Sequence, residues 1–158
     1  MIGPEKQRKF LSSLGFTKPT SIEMIEASGG KPLLPKRWNE LETMTISYGH
    51  GLSATPLHLA TGYAALANGG RLVQPTLLER KKIELGPQVI SKEVAENSLA
   101  MLRGVVTEGT ASLADVNGYF VAGKTGTADK PSAQGAMTRK RISLILLQFS
   151  PHMSQSMY

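Results

Sequence analysis

The interpretation of this chain rests on one stretch, Val121-Ala122-Gly123-Lys124-Thr125-Gly126-Thr127-Ala128. Valine and threonine favour extended backbone and the glycines weaken it, so the pattern predicts a strand that glycines interrupt. Such a strand places the amino group of Lys124 and the hydroxyls of Thr125 and Thr127 along one exposed edge. The tripeptide Lys-Thr-Gly is weak evidence by itself, because a solvent-exposed turn explains it at least as well.

Four further segments precede this stretch. They are Ser47-Tyr48-Gly49-His50-Gly51, Ala54-Thr55-Pro56-Leu57-His58-Leu59-Ala60, Leu66-Ala67-Asn68-Gly69-Gly70 and Gly104-Val105-Val106-Thr107-Glu108-Gly109-Thr110. In this order and at these spacings, the set resembles the C-terminal half of the transpeptidase domain of class B penicillin-binding proteins, most closely the cell-division type. The resemblance extends from residue 1 to about residue 135, and the motifs are specific as a set.

Length and composition bound the possibilities. A chain of 158 residues with 41% apolar residues is long enough for one domain and is not disordered by composition. The absence of cysteine excludes a disulfide scaffold and thiol chemistry. We expect no signal peptide or membrane span in the chain as written, because no basic stretch precedes an apolar one and no apolar run approaches about 18 residues.

The net charge of +6 raises the question of a nucleic-acid partner. Half of it comes from Arg139, Lys140 and Arg141, in a tail from Ala136 that holds no acidic residue. Residues 80–82, Arg-Lys-Lys, are the other basic cluster, which is more typical of a solvated face than of a phosphate-binding surface. We therefore expect no nucleic-acid partner, and the sequence indicates neither a cofactor nor a metal.

The first part of the chain predicts a short helix followed by a long connection. Charges opposite apolar residues from Pro4 to Leu14 indicate an amphipathic helix that begins at proline and ends at Gly15. The glycines and prolines that follow, up to Trp38, indicate a surface connection with brief strands at most. Ser28-Gly29-Gly30-Lys31 matches the S-x-x-K pattern of penicillin-binding serine nucleophiles. We reject this match, because two adjacent glycines disfavour the helix that the motif requires.

Residues 39–51 are predicted to start with a helical turn, continue as an extended piece to Ser47 and end in a tight glycine-containing loop. His50 lies in that loop, and histidine is a common general base near neutral pH. There is no cysteine, no histidine at metal-binding spacing and no nucleophile motif beside it. We interpret His50 as a hydrogen-bonding residue that orders the loop, with the general base as the alternative.

The remaining pattern alternates helices with extended segments. Thr55 and Pro56 are strong signals for a helix start, and Asn68-Gly69-Gly70 for its end. The further predicted elements are an extended segment from Arg71 to Leu78 with Pro75 at an edge, a helix capped by Ser91 that runs to Val106 and is closed by Gly109, a turn or short helix from Thr110 to Val116, and a strand from Gly118 to Ala122.

The resemblance implies roles for four residues of the central stretch. Lys124 would place a positive charge beside a serine hydroxyl and the substrate carboxylate, and Thr125 would donate its hydroxyl to that carboxylate. Gly126 would leave room for a substrate lying along the strand. Thr127 would offer its backbone N–H as an oxyanion donor, with its hydroxyl also near the carboxylate. Lys124 and Thr127 are thus the catalytic candidates, and residues 124–127 together are the substrate-binding candidates.

The resemblance also implies what the chain lacks. The family carries S-x-x-K and Ser-x-Asn motifs before Lys-Thr-Gly, and this sequence holds no Ser-x-Asn and no acceptable S-x-x-K. We expect a chain that begins after the nucleophile and the base. The fold class is α/β of the α+β type: a partial penicillin-binding transpeptidase domain with helices packed on an antiparallel sheet, lacking its N-terminal half and final strands, and holding one or two strands itself.

Residues 136–158 depart from the family pattern, so we divide the chain into a transpeptidase part, 1–135, and a divergent tail. Among the codons that residues 135–158 permit, one inserted base can yield Gly-Gly-Tyr-Asp and later Phe-Ala-Ser-Val-Phe-Pro, which is family-like, so a single-base frameshift near Gly135 is one hypothesis. Ile142 to Phe149 nevertheless has strand composition. It either pairs beside the central strand or leaves an apolar edge exposed.

The implied function is that of a serine D,D-transpeptidase that transfers the acyl group of D-Ala-D-Ala stem peptides during peptidoglycan cross-linking, in cell wall synthesis, cell shape and division. The implied partners are the stem peptide, β-lactams, the missing half of the domain and other division proteins, and the implied location is the bacterial inner membrane with a periplasmic catalytic domain. We expect this chain alone to be inactive. The alternative is a non-catalytic fragment or remnant that binds substrate along the strand.

Overall fold

The computed structural model describes residues 2–82, 84–131, 137–145 and 148–150, and for residues 28, 29 and 127 onward it describes the backbone alone. The chain forms two compact units, which divide between Ala95 and Glu96. Helices dominate the first unit, and all the described strands lie in the second. In the part of the chain described, no helix combines the length and the apolar character needed to cross a membrane.

Helix α1, Pro4–Ser13, is confirmed as predicted. Proline occupies its first turn, where a missing N–H costs nothing, and Gly15 at φ +87° follows its end. Gln7 connects the helix to the rest of the unit, because its side-chain amide donates to the Thr43 carbonyl at 2.9 Å and accepts from the Trp38 indole at 3.0 Å. Polar contacts of Gln7 therefore hold the helix to the segment from Trp38 to Thr43.

Helix α2, Glu40–Ser47, corrects the prediction for this segment, because the part expected to be extended is helical. The Asn39 side chain accepts two backbone N–H groups of the first turn, at 2.8 and 3.2 Å. Thr43 and Thr45 donate their hydroxyls to carbonyls of the preceding turn, at 2.8 and 3.1 Å. The cap and these local hydrogen bonds outweigh the preference of threonine for strands.

Helix α3, Pro56–Ala67, begins and ends where the sequence predicts. Thr55 caps it, and Asn68 followed by two glycines with positive φ ends it. Gly62 lies on its buried face, where an added Cβ would come within 3.0 Å of the Phe16 ring. A glycine in mid-helix is unfavourable, and here it allows the ring of Phe16 to pack against the helix backbone.

The connections of the first unit contain little regular structure, as the glycines and prolines predict. A short 3₁₀ helix covers Ile25–Gly29, and an isolated bridge pairs Leu33 with Ser53. The segment from Arg71 to Leu78 was expected to be extended, and it pairs only at its start, where Arg71 bridges Gln88. Beyond that point the Glu23 carboxylate accepts the Leu77 N–H at 3.1 Å, which holds the segment in a bend.

Helix α4, Lys92–Thr107, begins after Ser91, whose hydroxyl accepts the Val94 N–H at 3.3 Å. A 3₁₀ turn, Ser112–Ala114, follows it, as expected for this region. Among the residues of the second unit whose burial the structure describes, Val106, Ala111 and Val121 form a buried apolar cluster. It packs the end of the helix against the first strand, and so fixes the backbone that leads to Lys124.

Four strands make two antiparallel pairs in the second unit. Strand β1, Phe120–Ala122, pairs with β4, Gln148–Ser150, and β2, Thr125–Pro131, pairs with β3, Met137–Ile145. The mixed helix and antiparallel-strand fold confirms the predicted α+β class. The strands outnumber the one or two expected, because residues 137–145 pair with β2 and residues 148–150 pair with β1. Leu146 and Leu147 of the strand-like tail lie outside the described residues.

Candidate active-site edge

The central stretch forms two strands separated by Gly123 and Lys124. The Gly123 N–H donates to the Leu102 carbonyl of α4 at 3.2 Å, and Val121 and Ala122 before it are buried. Lys124 and Gly126 are exposed, and Thr125 is half-buried. The backbone thus leaves the core at Gly123 and presents the next residues to solvent, as the sequence predicts for an exposed edge.

Lys124 and Thr125 are in direct contact. The Lys124 ammonium donates to the Thr125 carbonyl at 2.8 Å and to its hydroxyl at 3.3 Å. A cation beside a hydroxyl is a suitable pair of donors for a carboxylate, since charge-assisted hydrogen bonds are about twice as strong as neutral ones. The structure therefore brings two of the four predicted site residues together.

Gly126 and Thr127 continue the same strand. They lie opposite Leu144 and Ser143 of β3. Among the described strands β2 pairs with β3 alone, which leaves its other edge without a strand neighbour. An extended peptide can add to such an edge through main-chain hydrogen bonds. The Thr127 side chain lies outside the described atoms, so its predicted hydroxyl contact stays a prediction.

Thr110 is a neighbour of the predicted site residues. It lies within one of the quoted motifs, but the sequence predicts no role for it. Its hydroxyl lies 2.9 Å from the Thr125 hydroxyl. The two threonines are fifteen residues apart, and no local sequence pattern indicates their contact. Its position directly after Gly109, at the end of a predicted helix, is the one signal that marks it.

Arg103 of α4 contacts the strand that precedes Lys124. Its guanidinium donates to the Val121 carbonyl and to the Asp115 carboxylate, both at 2.8 Å, and lies 5.4 Å from the centre of the Phe120 ring. Sequence analysis did not single it out, because its partners are 12 and 18 residues away. The residue ties α4 to the strand that precedes Lys124.

Two other residues were candidates from their motifs, His50 and Ser28, and both belong to the first unit. His50 is exposed, its N–H donates to the Thr45 carbonyl at 2.9 Å, and its ring packs on Tyr48 at 5.3 Å between centres. These contacts agree with the loop-ordering interpretation. The 3₁₀ helix that contains Ser28 ends at Gly29, so Ser28 and Lys31 share no helical turn and the rejection of that match stands.

The first unit holds a separate concave region of about 420 Å³, whose lining residues all belong to that unit. His58 lies at its wall and is 2% exposed. Both ring nitrogens of His58 already have partners: Nε2 lies 2.7 Å from the Lys18 carbonyl and Nδ1 lies 2.8 Å from the Thr55 hydroxyl. We assign His58 a structural role, which the sequence analysis missed.

Comparison with known proteins agrees with the motifs. Residues 1–147 match the family model described as the penicillin binding protein transpeptidase domain. The probable peptidoglycan D,D-transpeptidase FtsI of Caulobacter vibrioides is 33% identical over 135 residues, which are 82% of this chain and 22% of that protein. The stage V sporulation protein D of Bacillus subtilis is 34% identical over 142 residues, again 82% of this chain and 22% of the relative.

Solved structures show the same similarity. The transpeptidase domain of penicillin-binding protein 3 from Burkholderia pseudomallei superposes with a TM-score of 0.83 at 32% identity, covering 96% of this chain and 46% of that one. Penicillin-binding protein 3 of Mycobacterium tuberculosis, solved with aztreonam, gives 0.74 at 29% identity, covering 86% and 34%. The chain thus spans about a fifth of the length of these curated relatives and about half of a solved domain.

Proposed function

The chain belongs to the penicillin-binding protein transpeptidase family, and we propose that residues 124–127, the substrate edge, bind the C-terminal carboxylate of a peptidoglycan stem peptide. One observation carries the proposal: the Lys124 ammonium and the Thr125 hydroxyl lie 3.3 Å apart where strand β2 begins. Together they offer a positive charge and a neutral donor to one anionic group. A β-lactam carboxylate would occupy the same place.

The reaction we propose for the complete domain is acyl transfer. A serine attacks the carbonyl between the two terminal D-alanines, the last D-alanine leaves, and the amine of a second stem peptide then takes the acyl group from the serine. Lys124 would lower the energy of the anionic substrate end beside the serine. The Thr127 N–H would stabilise the oxyanion that forms during each attack.

Strand geometry gives the substrate its register. A stem peptide lying antiparallel or parallel to β2 would exchange main-chain hydrogen bonds with its free edge. Gly126 would matter here because a side chain at that position would stand between the strand and the peptide. We therefore propose positioning by the backbone and recognition of the carboxylate by Lys124 and Thr125.

The experiment is a titration of the chain with diacetyl-Lys-D-Ala-D-Ala, followed by calorimetry or ligand-observed NMR. The native chain is expected to bind the free acid and to bind its C-terminal amide at least tenfold more weakly, because the amide lacks the negative charge. Thr125→Val should weaken binding of the acid by about tenfold to a hundredfold, the effect of one hydrogen bond to a charged group. Thr125→Ser, which keeps the hydroxyl, should retain it. Equal affinity for acid and amide would refute the proposal.

The second candidate is a substrate-binding chain without catalysis of its own. The absence of Ser-x-Asn and of an acceptable S-x-x-K from the sequence favours it. We propose that the serine comes from another part of the transpeptidase domain. Fluorescent penicillin separates the candidates: a covalently labelled band for the purified chain after denaturing electrophoresis would show a nucleophile within these 158 residues, and an unlabelled chain that still binds the peptide would support the binding role.

We also propose the setting that the family implies: a cell-division or cell-shape enzyme at the bacterial inner membrane, with its catalytic part in the periplasm and other division proteins as partners. The names of the relatives support the proposal. Fractionation of the source cell with an antibody against this chain tests it, and recovery in the cytoplasmic fraction alone would contradict it.

The division into residues 1–135 and a frameshifted tail also stays a proposal. Its support is that the residues after Gly135 depart from the motif pattern of the family, while the family model itself reaches residue 147. Sequencing the gene with its flanking bases tests it. A family-like continuation in the neighbouring frame after Gly135 is the expected result, and its absence would remove the frameshift.

A further inference from the structure

We propose that Thr110 is a positioning residue that fixes the direction in which Thr125 presents its hydroxyl proton to the substrate carboxylate. The inference rests on the proposed function of the substrate edge and adds a residue to it. Its starting point is the 2.9 Å separation of the Thr110 and Thr125 hydroxyl oxygens.

Thr110 lies on a rigid corner of the chain. α4 ends just before it, and the Ala111 N–H donates to the Val105 carbonyl at 3.1 Å to close the turn. Gly109 allows this closure, since an added Cβ would lie 2.8 Å from the same carbonyl. Ala111 itself is buried in the core of the second unit. The residues on both sides of Thr110 thus hold its backbone in place.

Counting protons leaves two arrangements for the pair of threonine hydroxyls. The Lys124 ammonium can only donate, so the Thr125 hydroxyl oxygen accepts from it at 3.3 Å. The Thr125 hydroxyl carries a single proton. If it donates that proton to Thr110, none remains for a carboxylate. If Thr110 donates instead, the Thr125 oxygen has both lone pairs occupied and its proton points in the one remaining tetrahedral direction.

A carboxylate ligand selects the second arrangement. It can only accept hydrogen bonds, and the single Thr125 proton then serves it while Thr110 supplies the bond that Thr125 accepts. Without the Thr110 hydroxyl, the Thr125 proton regains other rotational positions, and orienting it reduces the affinity. We expect the loss to be about threefold to tenfold, the range of one neutral hydrogen bond.

The test compares Thr110→Val, which removes the hydroxyl and keeps the shape, with Thr110→Ser, which keeps it. Thr110→Ala is a second variant without a hydroxyl, and it controls for any effect of the methyl group that valine puts in the place of the hydroxyl. Thr107→Val makes the same chemical change on an exposed position of α4 and serves as the matched control. The readout is the dissociation constant for diacetyl-Lys-D-Ala-D-Ala as free acid and as C-terminal amide.

The expected pattern is a threefold to tenfold loss of affinity for the acid in Thr110→Val and Thr110→Ala, recovery in Thr110→Ser and no change in Thr107→Val. The affinity for the amide should change less, because its weaker acceptor depends less on the oriented proton. Native affinity in Thr110→Val, or an equal loss in Thr110→Ser, would overturn the positioning role. Failure of the native chain to distinguish acid from amide would instead overturn the proposed function on which the role rests.

Discussion

At the scale of single residues, two histidines differ because one is buried. His58 is 2% exposed, and the Thr55 N–H donates to its Nδ1 at 3.2 Å while Nε2 lies 2.7 Å from the Lys18 carbonyl. A carbonyl accepts only, so Nε2 donates to it while Nδ1 accepts the Thr55 N–H. This ring connects the start of α3 to a segment 40 residues earlier. His50, in contrast, is exposed.

We expect His58→Ala to lower the free energy of unfolding by about 2–4 kcal/mol, because it leaves a cavity and removes the partner of the Lys18 carbonyl. His50→Ala is the control and should change it by no more than about 0.5 kcal/mol. Urea unfolding followed by circular dichroism measures both. Similar values for the two variants would show that His58 is not the anchor of α3.

Substitutions at Gly70 and Gly15 distinguish the cost of backbone strain from the cost of a steric clash. Their φ angles are nearly equal, +86° and +87°, but an added Cβ at Gly70 would collide with the Ile90 carbonyl, and at Gly15 it meets no atom within 4 Å. Gly15→Ala should therefore cost about 1–2 kcal/mol for the left-handed conformation alone. Gly70→Ala should cost clearly more in the same unfolding measurement. Equal losses would mean that the turn at Gly70 relaxes freely.

At the scale of elements, Arg103 holds α4 and β1 together. Its two hydrogen bonds differ in kind: Asp115 is half exposed, and the Val121 carbonyl belongs to a buried residue. We expect Arg103→Ala to destabilise the chain by about 1–3 kcal/mol, because that carbonyl loses its charged donor. Asp115→Asn should cost less than about 1 kcal/mol, as exposed ion pairs do. If Asp115→Asn costs as much as Arg103→Ala, the ion pair rather than the strand contact carries the effect.

Glu23 holds the segment after Pro75 to the rest of the first unit. The Thr76 hydroxyl donates to its carboxylate at 2.7 Å. This bond is the largest cause that holds the pKa of Glu23 below the ordinary glutamate value, and the Leu77 N–H and the charge of Arg80 act in the same direction. A lowered pKa in the folded state contributes stability above the pKa of the unfolded chain, and this stability is lost as the pH falls through the folded value.

We therefore expect the bend at residues 76–78 to loosen in acid and not in base. Thr76→Val should raise the pKa of Glu23 toward the ordinary value, because the largest cause of the shift is removed. Thr76→Ser should leave it low. A carbon-detected NMR titration of the glutamate carboxyl groups measures the change, and an unaltered pKa in Thr76→Val would contradict this account of the bend.

An element can be predicted from the sequence when the residues that determine it are close together in the chain. α3 was predicted correctly because Thr55, Pro56 and the Asn68 turn are local signals. The prediction for α2 is wrong in its second half, because threonine favours strands by composition. The Asn39 cap and the bonds from threonine hydroxyls to carbonyls stabilise the helix instead. The pairing of β2 with β3 was one of two outcomes left open, because a strand-like tail does not specify its own partner.

At the scale of the whole molecule, the family and the exposed stretch around Lys124 could be predicted from a set of short motifs. The contacts that shape the edge could not. Thr110 and Arg103 reach it because α4 packs on the first strand, through the buried cluster of Val106, Ala111 and Val121. Such contacts join residues far apart in sequence, so they become visible only when the second unit is folded.

Recognition of a terminal carboxylate by the substrate edge can be measured directly. The experiment is a titration of the isotope-labelled chain with diacetyl-Lys-D-Ala-D-Ala, with amide resonances recorded at each step. We predict saturable shifts concentrated at Lys124, Thr125, Gly126 and Thr127, which the C-terminal amide of the same peptide does not reproduce. Shifts of equal size with the amide, or shifts confined to residues around the cavity of the first unit, would contradict the claim.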